Sequence, residues 1–180
     1  TEASSIEYTS DLLDHVLIID RSGSMGTPIE PTDDKLIAAK DAADFYVDIT
    51  RNNDGLAVVA YHHDVSPAPF AMQSVDAAVR SDAKSYIDDW SMPNGIYPSG
   101  ATSIGDGLFE ARNQRVASTT GNTRCSFVLL SDGMENSERK WNSGLNPVKA
   151  DVVATGCPVT SIAFGPASNS GMRGELYDEV

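Results

Sequence analysis

Residues 15–26, His-Val-Leu-Ile-Ile-Asp-Arg-Ser-Gly-Ser-Met-Gly, constrain the fold more than any other stretch of the chain. Residues 16–19 form an unbroken β-branched and aliphatic run. Such a run reads as a strand buried on both faces, the pattern of a parallel sheet. Asp20 closes the run, and Ser22 and Ser24 follow on a glycine-bearing turn. One carboxylate and two hydroxyls, at alternating positions, therefore leave the end of a buried strand together. Oxygen-only donors converging on a point suit a hard divalent cation such as Mg²⁺ or Ca²⁺. The same residue types are also ordinary turn formers and helix caps, so a metal site requires further donors from elsewhere in the chain.

The rest of the chain repeats the strand-and-helix alternation. Residues 1–14 are polar and read as a lead-in or linker, with the domain proper spanning 15–180. Asp33 and Asp34 open a helix, where acids favour the positive end of the dipole. Its Leu36, Ala39, Ala43 and Val47 recur at helical spacing and should face a sheet. A turn at 52–55 leads into a second buried strand, 56–61, ending in His62, His63 and Asp64. Adjacent side chains on a strand point to opposite faces, so this triplet reads as a polar loop rather than a second metal site. Pro67 and Pro69 confine residues 68–73 to an edge strand. Residues 75–90 read as a second helix, with Val79, Ala83 and Trp90 among its apolar positions.

A loop rich in turn formers, 93–100, delivers Thr102 and Ser103 to the start of a third helix. Ile104, Leu108 and Ala111 mark its inner face. Residues 125–130 are a further strand, closed by Ser131, Asp132 and Gly133. A short helix over 148–154 stops at Gly156, a fifth strand covers 159–164, and residues 172–180 begin another amphipathic helix. Strands alternating with helices predict an α/β fold: a Rossmann-like open sheet, mostly parallel with one antiparallel edge strand, and helices on both faces. Ligands of such sheets bind beyond the C-terminal ends of the strands, where the strand order switches. Asp20 and Asp132 both stand at such ends.

Composition narrows the partners. With 41% apolar and 22% charged residues a folded domain is expected, and a formal charge of −13 disfavours nucleic acid and anionic membrane. No stretch approaches the ~20 apolar residues of a membrane span. Cys125 and Cys157 each precede an apolar run; if those runs are neighbouring parallel strands, both sulfurs lie at one end of the sheet. That placement is compatible with a disulfide and equally with two buried thiols.

Three ordered motifs carry a resemblance. Asp20-Arg21-Ser22-Gly23-Ser24 matches the D-x-S-x-S signature of the von Willebrand factor A domain family. Residues 99–108, Ser-Gly-Ala-Thr-Ser-Ile-Gly-Asp-Gly-Leu, resemble its second motif, which carries a metal-binding threonine, and Leu129-Leu130-Ser131-Asp132-Gly133 resembles the third, which carries an aspartate. Within the family the pattern is similar to the A domains of calcium-activated chloride channel regulators and related bacterial proteins. The resemblance implies a metal-ion-dependent adhesion site at Asp20, Ser22, Ser24, Thr102 and Asp132, holding one Mg²⁺ or Ca²⁺. It implies a protein partner that supplies an Asp or Glu carboxylate to the ion, and an extracellular or cell-surface setting. Members of the family continue into a sixth strand and a final helix, so the C-terminal edge here is expected to be truncated.

Other functions meet specific obstacles. Ser22-Gly23-Ser24-Met25-Gly26 faintly resembles a nucleophile elbow, but a hydrolase of that type needs serine, acid and histidine in that order, and the last histidine is His63. No G-x-x-x-x-G-K-[ST] phosphate loop is present. Metal-assisted hydrolysis would need a placed general base, and no residue nominates itself, so the chain reads as no enzyme. The family also supplies intracellular assembly modules that partner ATPase machines, an alternative with the same site in a different context.

Overall fold

The computed structural model of the chain describes residues 11–29, 34–133, 135–142 and 147–165. Five strands form one sheet in the order β3-β2-β1-β4-β5. They are β1 (Leu13–Asp20), β2 (Gly55–Tyr61), β3 (Phe70–Ser74), β4 (Arg124–Ser131) and β5 (Val159–Ala163). Only β3, an edge strand, runs antiparallel, bonded to β2; β1 pairs in parallel with β2 and β4, and β4 with β5. This is the predicted mixed α/β sheet. The helix expected to begin over 172–180 lies outside the described residues.

Strand alternation divides the core in two. Val16, Ile18, Ala57, Val59, Phe127 and Leu129 face one side, where they meet α3 (Ile104–Val116) and α4 (Lys149–Val153). Leu17, Ile19, Leu56, Val58, Val128 and Leu130 face the other, against α1 (Lys35–Ile49) and α2 (Ala77–Asp88). Both faces of β1 and β2 are thus apolar because both are covered. The predicted inner face of α1 is buried as expected, together with Lys40. Asp34 caps that helix by accepting from the Ile37 amide at 2.9 Å, and Asp76 caps α2 from Val79 at 2.8 Å. The second helix is shorter than its apolar pattern; Trp90 lies beyond its end, 42% exposed, with the Lys40 ammonium over its ring.

Two further features position the site. Chain order runs from β1 outward to β3, then crosses to β4, so the switch in strand order falls between β1 and β4. The crevice outside their C-terminal ends is where an open α/β sheet accepts a ligand. At the opposite, N-terminal edge a disulfide joins Cys125 to Cys157 across 5.0 Å between Cα atoms. That resolves the alternative which the sequence leaves open.

Candidate functional site

Strand β1 carries Asp20 to the C-terminal edge, where the chain turns through Arg21 and Ser22 into a short 3₁₀ turn, Gly23–Gly26. Asp20 is fully buried. Its Oδ1 accepts from the Ser22 amide at 2.8 Å and its Oδ2 from the Ser131 hydroxyl at 2.5 Å. Burial pushes its carboxyl above the usual carboxylate range; the bonds from Ser131 and Ser22 oppose that shift and the neighbouring Asp132 adds to it. Among the described residues no cation pairs with Asp20.

The other predicted donors surround the same point. Ser22 Oγ lies 3.1 Å from Ser24 Oγ, and Ser24 Oγ donates to Asp132 Oδ1 at 2.8 Å. A Cβ placed on Gly133 would lie 3.6 Å from Thr102 Oγ1 and 3.8 Å from Ser24 Oγ, so the third hydroxyl also borders this cluster. All five residues named from sequence are therefore brought together at the β1–β4 switch point. Thr102 is buried.

Backbone bonds hold the loops to one another. The Gly23 amide donates to Gly100 O at 3.0 Å, Ser99 to Arg21 O at 2.8 Å, and Ser103 to His62 O at 2.7 Å. Thr102 is clamped from the loop after β4: its amide donates to Asn136 Oδ1 at 2.8 Å, and its carbonyl accepts from the amides of Asn136 and Ser137 at 3.0 Å each. Ser103 occupies the cap position of α3 but does not cap it. Its Oγ lies 2.8 Å from Asp106 Oδ2 and 2.6 Å from Arg139 O, which share its proton. Two acids stand at the helix start: Asp106 in its first turn, and Glu135, accepting from the Gly105 amide at 2.7 Å and the Trp141 amide at 2.7 Å. A Cβ on Gly105 would fall 2.5 Å from Arg139 O, so only glycine allows this approach of helix and loop.

Several contributors carry no sequence signal of their own. The Lys35 ammonium pairs with Asp132 Oδ2, so a tethered cation already sits on one of the two carboxylates. Arg21 is buried, its Nε donating to Ser66 O, its Nη1 to Tyr97 O at 3.2 Å, and its guanidinium 5.1 Å over the Tyr97 ring. It pins the loop that leads to Thr102. Ser131 and Asn136 come from the β4 end and the following loop, and only their contacts distinguish them from other polar residues there.

His62 and His63 border this edge. As expected of a polar loop, they lie beyond β2, which ends at Tyr61, in a tight bend. The His62 amide donates to Asp64 O at 2.9 Å, and the two imidazole rings stack with centroids 4.0 Å apart. Burial, with the nearby charges of Arg21 and His63, holds His62 below the usual histidine range.

The five residues offer hydroxyl and carboxylate oxygens alone; Ser24 is exposed, and Asp20, Ser22, Thr102 and Asp132 are buried. That donor set fits a hard divalent cation and is poor for soft metals. The Lys35 ammonium, which donates to Asp132, is the nitrogen group paired with this cluster.

The sequence profile of the von Willebrand factor type A domain matches residues 14–175. No curated protein matches the chain in sequence. Among solved structures, a von Willebrand factor type A protein from Catenulispora acidiphila superposes with a TM-score of 0.65 at 24% identity, covering 87% of this chain and 34% of that one. The PilB minor pilin from Streptococcus sanguinis gives 0.58 at 17% identity, over 69% of this chain and 31% of the pilin. The pilus adhesin SpaC from Lactobacillus rhamnosus GG gives 0.55 at 18% identity, over 71% and 16% respectively. The chain thus spans about a third or less of the length of these proteins, and the likeness is one of fold.

Proposed function

Because this chain belongs to the von Willebrand factor type A domain family, we propose that the C-terminal edge of its sheet is a metal-dependent protein-recognition surface. Asp20, Ser22, Ser24, Thr102 and Asp132 would hold one Mg²⁺ or Ca²⁺ as a metal-ion-dependent adhesion site. The observation that carries this reading is the convergence of three hydroxyls and two carboxylates on one crevice at the switch in strand order. When bound, the cation supplies a Lewis-acidic point with an open coordination position for an Asp or Glu carboxylate of a partner.

The chain's own residues set the terms of that recognition. Neutral hydroxyls leave most of a cation's charge uncompensated. Asn136 holds Thr102 in place, and Ser131 fixes the Asp20 carboxylate, so the donors are oriented before a partner arrives. Loops 26–32, 94–100 and 134–146, of which 30–32, 134 and 143–146 lie outside the described residues, would select the partner, since specificity is commonly carried by loops on a rigid scaffold. The formal charge of −13 opposes an acidic partner at long range, so association would not be fast and the short-range contact would carry much of the affinity. The pilin and adhesin among the similar folds support a cell-surface setting and a binding rather than enzymatic role. The domain, expected over 15–180 with 1–14 a lead-in, would begin with β1 at Leu13, and its subfamily would be that of calcium-activated chloride channel regulators and related bacterial proteins.

The test is a pull-down from the native host with Mg²⁺ or Ca²⁺, repeated with chelator and with Thr102→Ala. The partner should be retained only by the unaltered protein in the presence of the cation. Equal retention in chelator, or by the variant, overturns the reading and leaves the cluster a structural one.

A further inference from the structure

We propose that His62, His63 and Asp64 form a second cation site, for a borderline transition metal such as Zn²⁺, on the rim of the same sheet edge. Had these residues continued β2, consecutive side chains would diverge and share no ligand. Instead the strand ends and the chain folds back, with the Ser66 amide donating to Ala60 O at 3.2 Å. The bend lays one imidazole on the other, interplanar angle 11°, so their in-plane lone pairs run side by side and the two rings share an ion once His63 turns out of the stack. The Asp64 carboxylate spans the pair: Oδ1 lies 2.9 Å from His62 Nδ1 and Oδ2 3.8 Å from His63 Nε2. One ligand atom from each of the three residues lies within 4.8 Å of the others.

The geometry and chemistry agree on the ligand. Bonds of about 2.0–2.2 Å to Zn²⁺ place tetrahedral donors roughly 3.4 Å apart. Closing the cluster to that spacing turns His63 out of the stack and rotates Asp64, whose side chains are 54% and 61% exposed, and frees the Nδ1 of buried His62 from the Asp64 amide that donates to it at 3.1 Å. Two imidazole nitrogens and one carboxylate oxygen suit Zn²⁺, Ni²⁺ or Cu²⁺ rather than Mg²⁺ or Ca²⁺, so this cluster would not compete for the ion taken by an all-oxygen site. Three protein ligands leave a fourth position open to water or to a partner's side chain.

The cluster also touches the loop that carries Thr102. Gly100 adopts φ +72°, and a Cβ there would fall 2.6 Å from His63 Nδ1. With the Ser103 amide on His62 O, the strap from 100 to 103 rests directly on the histidine pair. A metal at the pair would lock that strap and place a positive centre on the rim of an acidic domain.

Calorimetric titration with Zn²⁺ in saturating Mg²⁺ tests the proposal, because the Mg²⁺ occupies any hard-cation site first. The unaltered protein should bind one equivalent. His63→Ala and Asp64→Asn, at exposed positions and checked for native far-ultraviolet spectra, should weaken binding by about a hundredfold, at least the loss typical of an outer-shell change. His15→Gln, which alters the one remaining histidine, and Asp20→Asn should leave Zn²⁺ affinity unchanged, separating this site from both the opposite edge and the proposed adhesion site. Electron paramagnetic resonance with Cu²⁺ as probe should show two coupled imidazole nitrogens, falling to one in His63→Ala. Absence of saturable Zn²⁺ binding, undiminished binding in His63→Ala, or loss of binding in Asp20→Asn would each overturn it.

Discussion

The two edges of the sheet both bury aspartates, and they treat them in opposite ways. At the N-terminal edge Asp14 is fully buried and faces Arg115 Nη1 at 2.6 Å, Thr120 Oγ1 at 2.6 Å and Asn122 Nδ2 at 3.0 Å. Its neighbour Asp54 accepts from the Arg51 side chain and from the Leu13 amide at 2.9 Å, with His15 Nε2 at 3.6 Å. Burial works to raise the Asp54 carboxyl, but the Arg51 and backbone donors bring it below the ordinary range. At the C-terminal edge burial prevails, and Asp20 is raised. Its donors are hydroxyl and amide dipoles, and the cation nearby, Lys35, is on Asp132. Acids at one edge are matched by the chain's own cations and serve the fold. At the other edge two carboxylates, Asp20 and Asp132, have between them the one cation, Lys35, that pairs there among the described residues.

Breaking the matched edge should have the largest effect. Asp14→Ala strands Arg115 and removes the acceptor for Thr120 and Asn122; it should cost about 3–5 kcal/mol in urea unfolding. Asp20→Asn should cost less than about 1 kcal/mol without divalent cations, since it removes a buried charge lacking a partner cation. Mg²⁺ should raise the melting temperature of the unaltered protein, as a ligand that prefers the folded state does, and the same change should abolish that rise. Equal losses from the two substitutions would erase the contrast between the edges.

The disulfide strengthens the matched edge by a second route. Reducing Cys125–Cys157, or replacing both by serine, releases a loop of sequence separation 32. It should lower stability by about 3.5 kcal/mol on chain-entropy grounds, without altering the Mg²⁺-induced shift. Thermal unfolding with and without reductant, each with and without Mg²⁺, measures both.

Acid should erase the next difference. A carboxyl held below its unfolded value stabilises above that value, near pH 3.9, and loses the contribution as pH falls through the lower folded value. Asp54→Asn should therefore be less stable than the unaltered protein by about 2 kcal/mol at neutral pH, and the gap should close below about pH 4. A gap that stays constant to lower pH would show that packing, not charge, sets the contribution of Asp54.

The smallest effect concerns the cation paired at the C-terminal edge. Lys35→Met removes a positive charge paired with Asp132. Mg²⁺ affinity should rise by up to about tenfold, equivalent to about 1.4 kcal/mol. Unchanged affinity would mean that Lys35 leaves Asp132 freely when the ion binds.

Local periodicity and end signals were legible without the fold. Continuous aliphatic runs at 16–19 and 56–61 announce buried parallel strands, and Leu36, Ala39, Ala43 and Val47 announce the buried face of α1, because burial on a given face demands apolar residues at a given spacing. Acids and hydroxyls at strand ends were legible as a group because an open α/β sheet gathers those ends on one edge. Partnership across long separations was not. Nothing in the chain order says that Ser131 rather than another serine holds Asp20, that Asn136 clamps Thr102, or that Lys35 reaches Asp132. A single Lys, Ser or Asn has no periodic signature, and its contact is created only when remote loops are folded together. The stacked His62 and His63 make the same point: strand geometry separates neighbours, and only a bend closed by backbone hydrogen bonds brings them face to face. The disulfide belongs with these, since its formation depended on a Cα separation that the sheet alone could set.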